Sequence, residues 1–172
     1  MLKALLSVIP TNSMTCFKLP ASLCKSIQSQ LTRFWWDSNT EIRKICWVSW
    51  KRITKSKREG GLGLRDIQSF NDALLAKLSW RILKNAKCLL AKILLGKYCQ
   101  DKSFLEVPVS SNTSHGWRGI LIGRDFLLKQ LGKTIGNGKE TSLWNDPWLS
   151  LTSPKKPMGP PNQHTKDWLV SS

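Results

Sequence analysis

Hydrophobic positions in the first part of the chain recur at the spacing of an amphipathic α-helix. After Pro20, which suits the first turn of a helix, apolar residues recur every three or four positions as far as Trp36. These residues are Leu23, Ile27, Leu31 and Phe34. Because positions three and four apart share one face, the pattern predicts a helix of about four turns.

The same spacing predicts further helices downstream. One begins near residues 69–71 and carries an apolar face made of Ala73, Leu74, Leu78, Ile82 and Leu83. A second apolar set follows between Leu89 and Tyr98, and the pattern leaves open whether the two sets form one kinked helix or two. Ser114 is suited to cap a last helix that runs to Leu128, with Gly132 as a stop signal.

The segments between these helices carry turn and loop signals. Residues 37–40 predict a turn, residues 44–53 fit either a short helix or a strand, and residues 102–113 predict a loop. The charged stretch 55–64 contains three glycines that allow positive φ. The Asn137-Gly138 pair indicates a hairpin turn. We therefore expect a mainly α fold with a small β-hairpin near residues 134–144, followed by a Pro-rich tail at 151–172.

Charge is the most informative feature of the composition. The 172 residues contain 27 Lys and Arg but only 11 Asp and Glu, which gives a formal net charge of +16. This imbalance indicates a polyanionic partner, although charge alone does not choose between RNA, DNA, an acidic protein and an anionic membrane. No run of 18 apolar residues occurs, so the sequence predicts no membrane-spanning helix.

The densest basic segment spans residues 43–58 and contains no acidic residue. Its cations could neutralise phosphates, and its two Trp rings could stack on unpaired bases. The predicted nucleic-acid-binding residues are Arg43, Lys44, Trp47, Trp50, Lys51, Arg52, Lys55, Lys57 and Arg58. The alternative is that both Trp side chains belong to the core and the cations form a solvated face. A second basic row, which we interpret as a solvated helix face, comprises Lys77, Arg81, Lys84, Lys87 and Lys92.

The sequence contains no recognisable active site. No two acidic residues are neighbours, so the adjacent carboxylates common in two-metal enzymes are missing. Five widely spaced Cys and two His show no metal-ligand spacing, and no phosphate-binding P-loop motif is present. We expect reduced thiols and a protein that is not an enzyme, with no cofactor, metal or small-molecule substrate.

Several ordered sequence blocks resemble one known family. They include Gly60-Gly61-Leu62-Gly63-Leu64-Arg65-Asp66, Trp117-Arg118-Gly119-Ile120 with Gly123-Arg124, and Trp144-Asn145-Asp146-Pro147-Trp148. Further blocks lie at residues 5–11, 16–20, 34–36, 44–50, 71–77 and 135–138. Together they resemble the region downstream of the polymerase core in plant LINE-type non-LTR retrotransposon reverse transcriptases. The resemblance covers about residues 2–150.

The resemblance implies an architecture and an origin. Residues 1–36 look like the end of a polymerase thumb, and residues 37–150 look like a helical connector that would lie along template and primer. The aromatic-x-Asp-Asp motif of such polymerases and the ribonuclease H carboxylates are not found in this sequence. We therefore expect a catalytically inert fragment that retains non-specific binding of RNA or DNA.

Two other functional hypotheses fit the same sequence. One is a transposon relic with no selected activity, and the other is a subunit that docks on a separate reverse transcriptase core. For location, the resemblance suggests the mitochondrion or the nucleus. The absence of acids from residues 1–36 fits a mitochondrial presequence, while Leu2, Leu5, Leu6 and Ile9 equally fit one face of a short helix ended by Pro10.

Overall fold

A computed structural model describes residues 11–37, 44–100, 102–150, 154–159 and 162–171. The chain divides into two compact units at the Arg124–Asp125 peptide bond. The N-terminal helix or presequence, Arg43 and most of the turn at 37–40 lie outside the described residues.

The described part of the chain is mainly helical, which confirms the predicted fold class. The α-helices are α1 (Thr11–Cys16), α2 (Ala21–Trp36), α3 (Trp50–Ile53), α4 (Ile67–Lys84), α5 (Leu89–Tyr98) and α6 (His115–Leu128), with one 3-10 turn at Lys57–Glu59. The two apolar sets form separate helices, because Asn85 leaves the helical conformation with φ −127° and ψ 63°. Helix α4 begins at Ile67 because the Asp66 carboxylate caps it, accepting a hydrogen bond from the Ser69 N–H at 2.9 Å.

Asn71 joins α4 to the N-terminal elements of the first unit. Its side chain is fully buried and donates from Nδ2 to the carbonyls of Met14 at 2.8 Å and Phe17 at 3.0 Å. Its Oδ1 accepts the Leu19 N–H at 2.9 Å. These bonds satisfy carbonyls at the end of α1 and fix the turn into α2. A small core forms beneath them, in which Met14 and Cys24 are almost fully buried.

Helices α4 and α6 approach each other closely at two glycines of α6. A Cβ atom at Gly123 would lie only 2.4 Å from the carbonyl carbon and oxygen of Leu75, and one at Gly119 would lie 3.3 Å from a Leu75 methyl carbon. The Ser79 hydroxyl donates across this contact to the Ile120 carbonyl at 2.6 Å. The absence of side chains at these glycines therefore lets the two backbones pack directly together.

Trp117 lies at the centre of the largest core cluster, which includes α5, α6 and the loop between them. The indole is 1% exposed and stacks on Tyr98, with ring centroids 4.8 Å apart and planes at 13°. Phe104 packs at a tilt against the same ring at 5.8 Å. Arg124, also buried, donates from one guanidinium nitrogen to the carbonyls of Phe104 and Val107. The Trp-Arg-Gly-Ile and Gly-Arg blocks thus have a structural explanation in packing and loop bracing.

The hairpin predicted for residues 134–144 is wrong, since that described stretch contains no β-strand. The local turn signal is real, because Gly138 has φ +76°. However, the Asp146 carboxylate accepts both the Ser142 N–H at 2.8 Å and the Lys133 ammonium at 2.6 Å. The backbone around Ser142 pairs instead with the tail, through hydrogen bonds from Leu143 to Trp168 and from Val170 to Thr141, each 2.9 Å.

Candidate nucleic-acid interface

From Ser49 onward, the predicted binding segment folds into a tight loop, which we call the basic loop and define as residues 49–64. Helix α3 opens it, and backbone hydrogen bonds from Leu62 to Ile53 at 3.0 Å and from Gly63 to Lys55 at 2.8 Å close it. Gly60 takes φ +79°, a conformation that disfavours a side chain. A Cβ at Gly61 would lie 2.1 Å from the Lys55 carbonyl oxygen. The glycines are therefore needed for the backbone to turn back under the cations.

A small hydrophobic base holds the basic loop. Ile53 and Leu64 are 4% and 6% exposed, and Val48 and Trp50 pack against them. Trp50 is half-buried, and its indole N–H makes no hydrogen bond to another described group. Trp47, by contrast, is 79% exposed. The sequence left open whether both Trp side chains belong to a core or are available to stack on bases. In the structure, Trp50 packs in a small core and Trp47 faces solvent.

The cations of the basic loop are displayed to solvent. Lys51, Arg52, Lys55, Lys57 and Arg58 are all exposed, and none forms an ion pair with a described acid. Lys44, just before the loop, is also exposed, and its backbone N–H donates to Asp37 at 3.0 Å.

Three of the cations surround a shallow depression. Lys51, Arg52 and Lys55 line it together with Ser49 and Glu59, and its volume is about 320 Å³. Glu59 lies one residue beyond the predicted binding segment, and its carboxylate accepts from the Ser56 hydroxyl at 2.9 Å and from the Ser56 N–H at 3.3 Å. The Ser-x-x-Glu spacing of a capping box was the signal that could have found it.

The arrangement suits electrostatic binding of an anion. Exposed ammonium and guanidinium groups pair with phosphate oxygens and release counterions when they do so. Among the described residues, no three His, Cys, Asp or Glu side chains come together as metal ligands would. No described helix combines the length and the hydropathy that crossing a bilayer requires.

The second basic row lies mainly on α4. Lys77, Arg81, Lys84, Lys87 and Lys92 are all exposed. The Lys84 ammonium lies 5.2 Å from the centroid of the half-exposed Trp80 ring, close enough for a cation–π contact. The row therefore has the form of a solvated face, in contrast to the compact basic loop.

Comparison with known proteins shows which family the chain belongs to. An uncharacterised mitochondrial protein of Arabidopsis thaliana is 42% identical over 151 residues, which cover 87% of this chain and 98% of that protein. The chain belongs to the family of this mitochondrial protein.

A second relative is much longer. A candidate ribonuclease H protein of Arabidopsis thaliana is 36% identical over 153 residues, which cover 86% of this chain and only 24% of that protein. The family's sequence therefore also occurs as about a quarter of a larger protein. No family model matches the chain, and no solved structure matches it.

Proposed function

We propose that the chain is a catalytically inert piece of a non-LTR retrotransposon reverse transcriptase that retains non-specific binding of RNA or DNA through the basic loop. The observation that carries this proposal is the display of five exposed cations on one hydrogen-bonded loop, without an ion pair to a described acid. The occurrence of related sequence within a much longer relative supports an origin in a larger protein.

The proposal predicts how steeply the binding affinity should fall as the salt concentration rises. Neutralising Z phosphates on duplex DNA gives log K a slope of about −0.9Z against log salt, so five contacts correspond to about −4.5. The slope for a single strand is nearer −0.7Z, or about −3.5 for the same five contacts. Binding is therefore expected to be strong at low salt and to weaken steeply as salt rises.

The decisive experiment compares two variants of equal net charge. In the first, Lys51, Arg52, Lys55 and Lys57 in the basic loop are changed to Glu. In the control, Lys77, Arg81, Lys87 and Lys92 in the second basic row are changed to Glu. We expect the first variant to lose binding and its salt dependence, and the control to retain most of both, in fluorescence anisotropy titrations at several salt concentrations. Equal losses would show that overall charge, and not the basic loop, supplies binding.

Trp47, two residues before the basic loop, tests whether this surface also contacts unpaired bases. Stacking of a base on an aromatic side chain contributes about 1–3 kcal/mol. Trp47→Ala should therefore weaken binding of a single strand while leaving duplex binding nearly unchanged. Equal effects on the two would remove stacking from the proposal.

The expected lack of catalytic activity and the interpretation as a transposon relic can each be tested. Primer-extension and ribonuclease H assays with Mg²⁺ are expected to give no turnover, and activity that co-elutes with the folded chain would contradict this. A single cooperative unfolding transition would count against a relic that no longer folds by itself.

A second candidate function is docking on a separate reverse transcriptase core. The observation that favours it is the outer face of α5, where Leu89 and Ile93 lie one turn apart and are 75% and 58% exposed. The double change Leu89→Ser and Ile93→Ser should abolish co-purification with such a core. Leu128→Ser, at a helix residue that is 43% exposed, serves as the control.

A further inference from the structure

A second concave surface, which shares no residue with the basic loop, lies between the end of α5 and the loop that follows it. It has a volume of about 390 Å³, within the usual range for small-molecule sites. Tyr98, Val107, Pro108 and Trp117 provide apolar and aromatic lining. We call this surface the α5–α6 cleft.

The polar lining of the cleft carries positive charge and free hydrogen-bonding groups. Lys97 and Lys102 line it, both exposed, and none of the described lining residues is acidic. The side-chain amides of Gln100 and Asn112 also line it, and neither makes a hydrogen bond with another described residue. Each amide offers two donors and an acceptor, the kind of groups found along the edges of nucleobases.

Trp117 borders the cleft from the core side, since its side chain is only 1% exposed. Its indole N–H is buried and has no hydrogen-bond partner among the described residues. The same is true of Trp36, Trp50 and Trp144, so the assignment of the cleft as a binding site depends on its lining and not on this N–H. The Lys97 ammonium lies 5.3 Å from the Tyr98 ring centroid. Hydrogen bonding to Ser114, together with this nearby ammonium, lowers the pKa of Tyr98 below its ordinary value.

The wall of the cleft is braced before any ligand binds. Arg118 on α6 donates to the Ser111 carbonyl at 3.1 Å, and Arg124 donates to two carbonyls at the other end of the same loop. The Thr113 hydroxyl donates to the Ser110 carbonyl at 2.8 Å, and the Tyr98 hydroxyl to Ser114 Oγ at 3.1 Å. A loop held in this way loses little conformational entropy on binding.

We propose that the α5–α6 cleft binds a nucleotide unit, with its phosphate paired to Lys97 and Lys102 and its base against the aromatic and amide lining. A bare phosphate would leave most of the volume and both amides unused. An uncharged nucleoside would leave the positive charge of the two ammonium groups unused. This inference deepens the proposed function by adding a site for one unpaired nucleotide, but the cleft and the basic loop share no residue.

Calorimetric titration of the full chain with AMP, UMP, adenosine and inorganic phosphate tests the site. We expect one mononucleotide to bind per chain, with adenosine and phosphate at least tenfold weaker. The double change Lys97→Met and Lys102→Met should weaken nucleotide binding at least tenfold. Lys87→Met with Lys92→Met removes the same charge from outside the cleft and should change it less than twofold. Equal losses in both variants, or no binding by the unchanged chain, would overturn the proposal.

A second measurement keeps the test independent of charge. Asn112→Ala leaves the net charge unchanged and should weaken the mononucleotide severalfold without altering the affinity for phosphate. In ¹⁵N-resolved NMR spectra, addition of AMP should shift one indole N–H signal, which Trp117→Phe would identify. An unmoved Trp117 signal together with an unaffected Asn112→Ala variant would contradict the proposal.

A competition experiment shows whether the cleft binds a free nucleotide or a nucleotide within a strand. It also tests whether the cleft and the basic loop are separate binding sites. If the cleft takes nucleotides from a strand, a short single-stranded RNA will displace bound AMP, and otherwise AMP will remain bound. The variant with four Glu substitutions in the basic loop should still bind AMP even if it no longer binds RNA. Loss of AMP binding in that folded variant would contradict a separate site.

Discussion

The contact between α4 and α6 gives the sharpest prediction about stability, because one residue controls it. Gly123→Ala would place a methyl group 2.4 Å from the Leu75 carbonyl carbon and oxygen and 2.7 Å from the Ala76 nitrogen. All three are backbone atoms inside α4, so no side chain can rotate to relieve the clash. The helices would have to separate by about 1 Å to restore ordinary van der Waals contact.

The change in the free energy of unfolding caused by that separation is the sum of three contributions. Overpacking of a well-packed interface costs about 1–3 kcal/mol, and the upper end applies here because backbone resists the change. Stretching the 2.6 Å hydrogen bond from Ser79 to the Ile120 carbonyl costs about 1 kcal/mol more. Replacing Gly by Ala in a helix returns about 1 kcal/mol. We therefore expect a net loss of about 2–3 kcal/mol, which in a chain of this length lowers Tm by about 5–10 °C.

Thermal and urea denaturation followed by circular dichroism would measure this change. The matched control is Gly96→Ala in α5, where an added Cβ meets no atom within 4 Å. That change should stabilise the protein by about 0.5–1 kcal/mol, because only the helix-propensity gain remains. A Gly123→Ala variant as stable as the unchanged protein would refute the close approach of α4 and α6.

Three further predictions concern other parts of the chain. Asn71→Leu should destabilise the first unit by about 2–4 kcal/mol because it leaves two carbonyls and one N–H of a buried turn unpaired, and urea titration would measure the loss. Burial alone would raise the pKa of Asp146, but hydrogen bonds from Lys133 and from a backbone N–H outweigh it and the net pKa lies below the ordinary 3.8. The stability from this carboxylate is therefore present above pH 3.8 and lost as the pH falls through its lower folded-state pKa, so Asp146→Asn should remove that acid-dependent component of the melting temperature. Cys24 is 1% exposed and burial raises its pKa, so it should react with a thiol reagent only on unfolding, whereas the exposed Cys16 should react in the native protein.

Local sequence signals were sufficient for the helices that depend on a single amphipathic face. The spacing of apolar residues located α2 at its observed bounds, and the Ser114 signal located the start of α6. Boundaries that depend on a competing cap were less accurate: α4 begins at Ile67 because Asp66, and not a residue at 69–71, caps it.

The candidate nucleic-acid interface was likewise predictable from the sequence only in part. The high local density of cations in the basic loop is a property of the sequence, and the structure displays them to solvent. Which of Trp47 and Trp50 packs against a core depends on Ile53 and Leu64 forming a base beneath one of them, and residue spacing does not contain that information.

The sequence by itself determined the excess of positive charge, which follows from composition alone. It also determined the helical class and the glycines that permit tight turns, because these depend on neighbours within a few residues. Only the tertiary structure decided that residues 141–143 pair with residues 168–170 and that Gly123 meets Leu75 across two helices. The α5–α6 cleft likewise depends on tertiary contacts, because Arg118 and Arg124 hold the loop that lines it against α6. Such contacts join residues that are distant along the chain, and which partner each one meets depends on the packing of the whole unit.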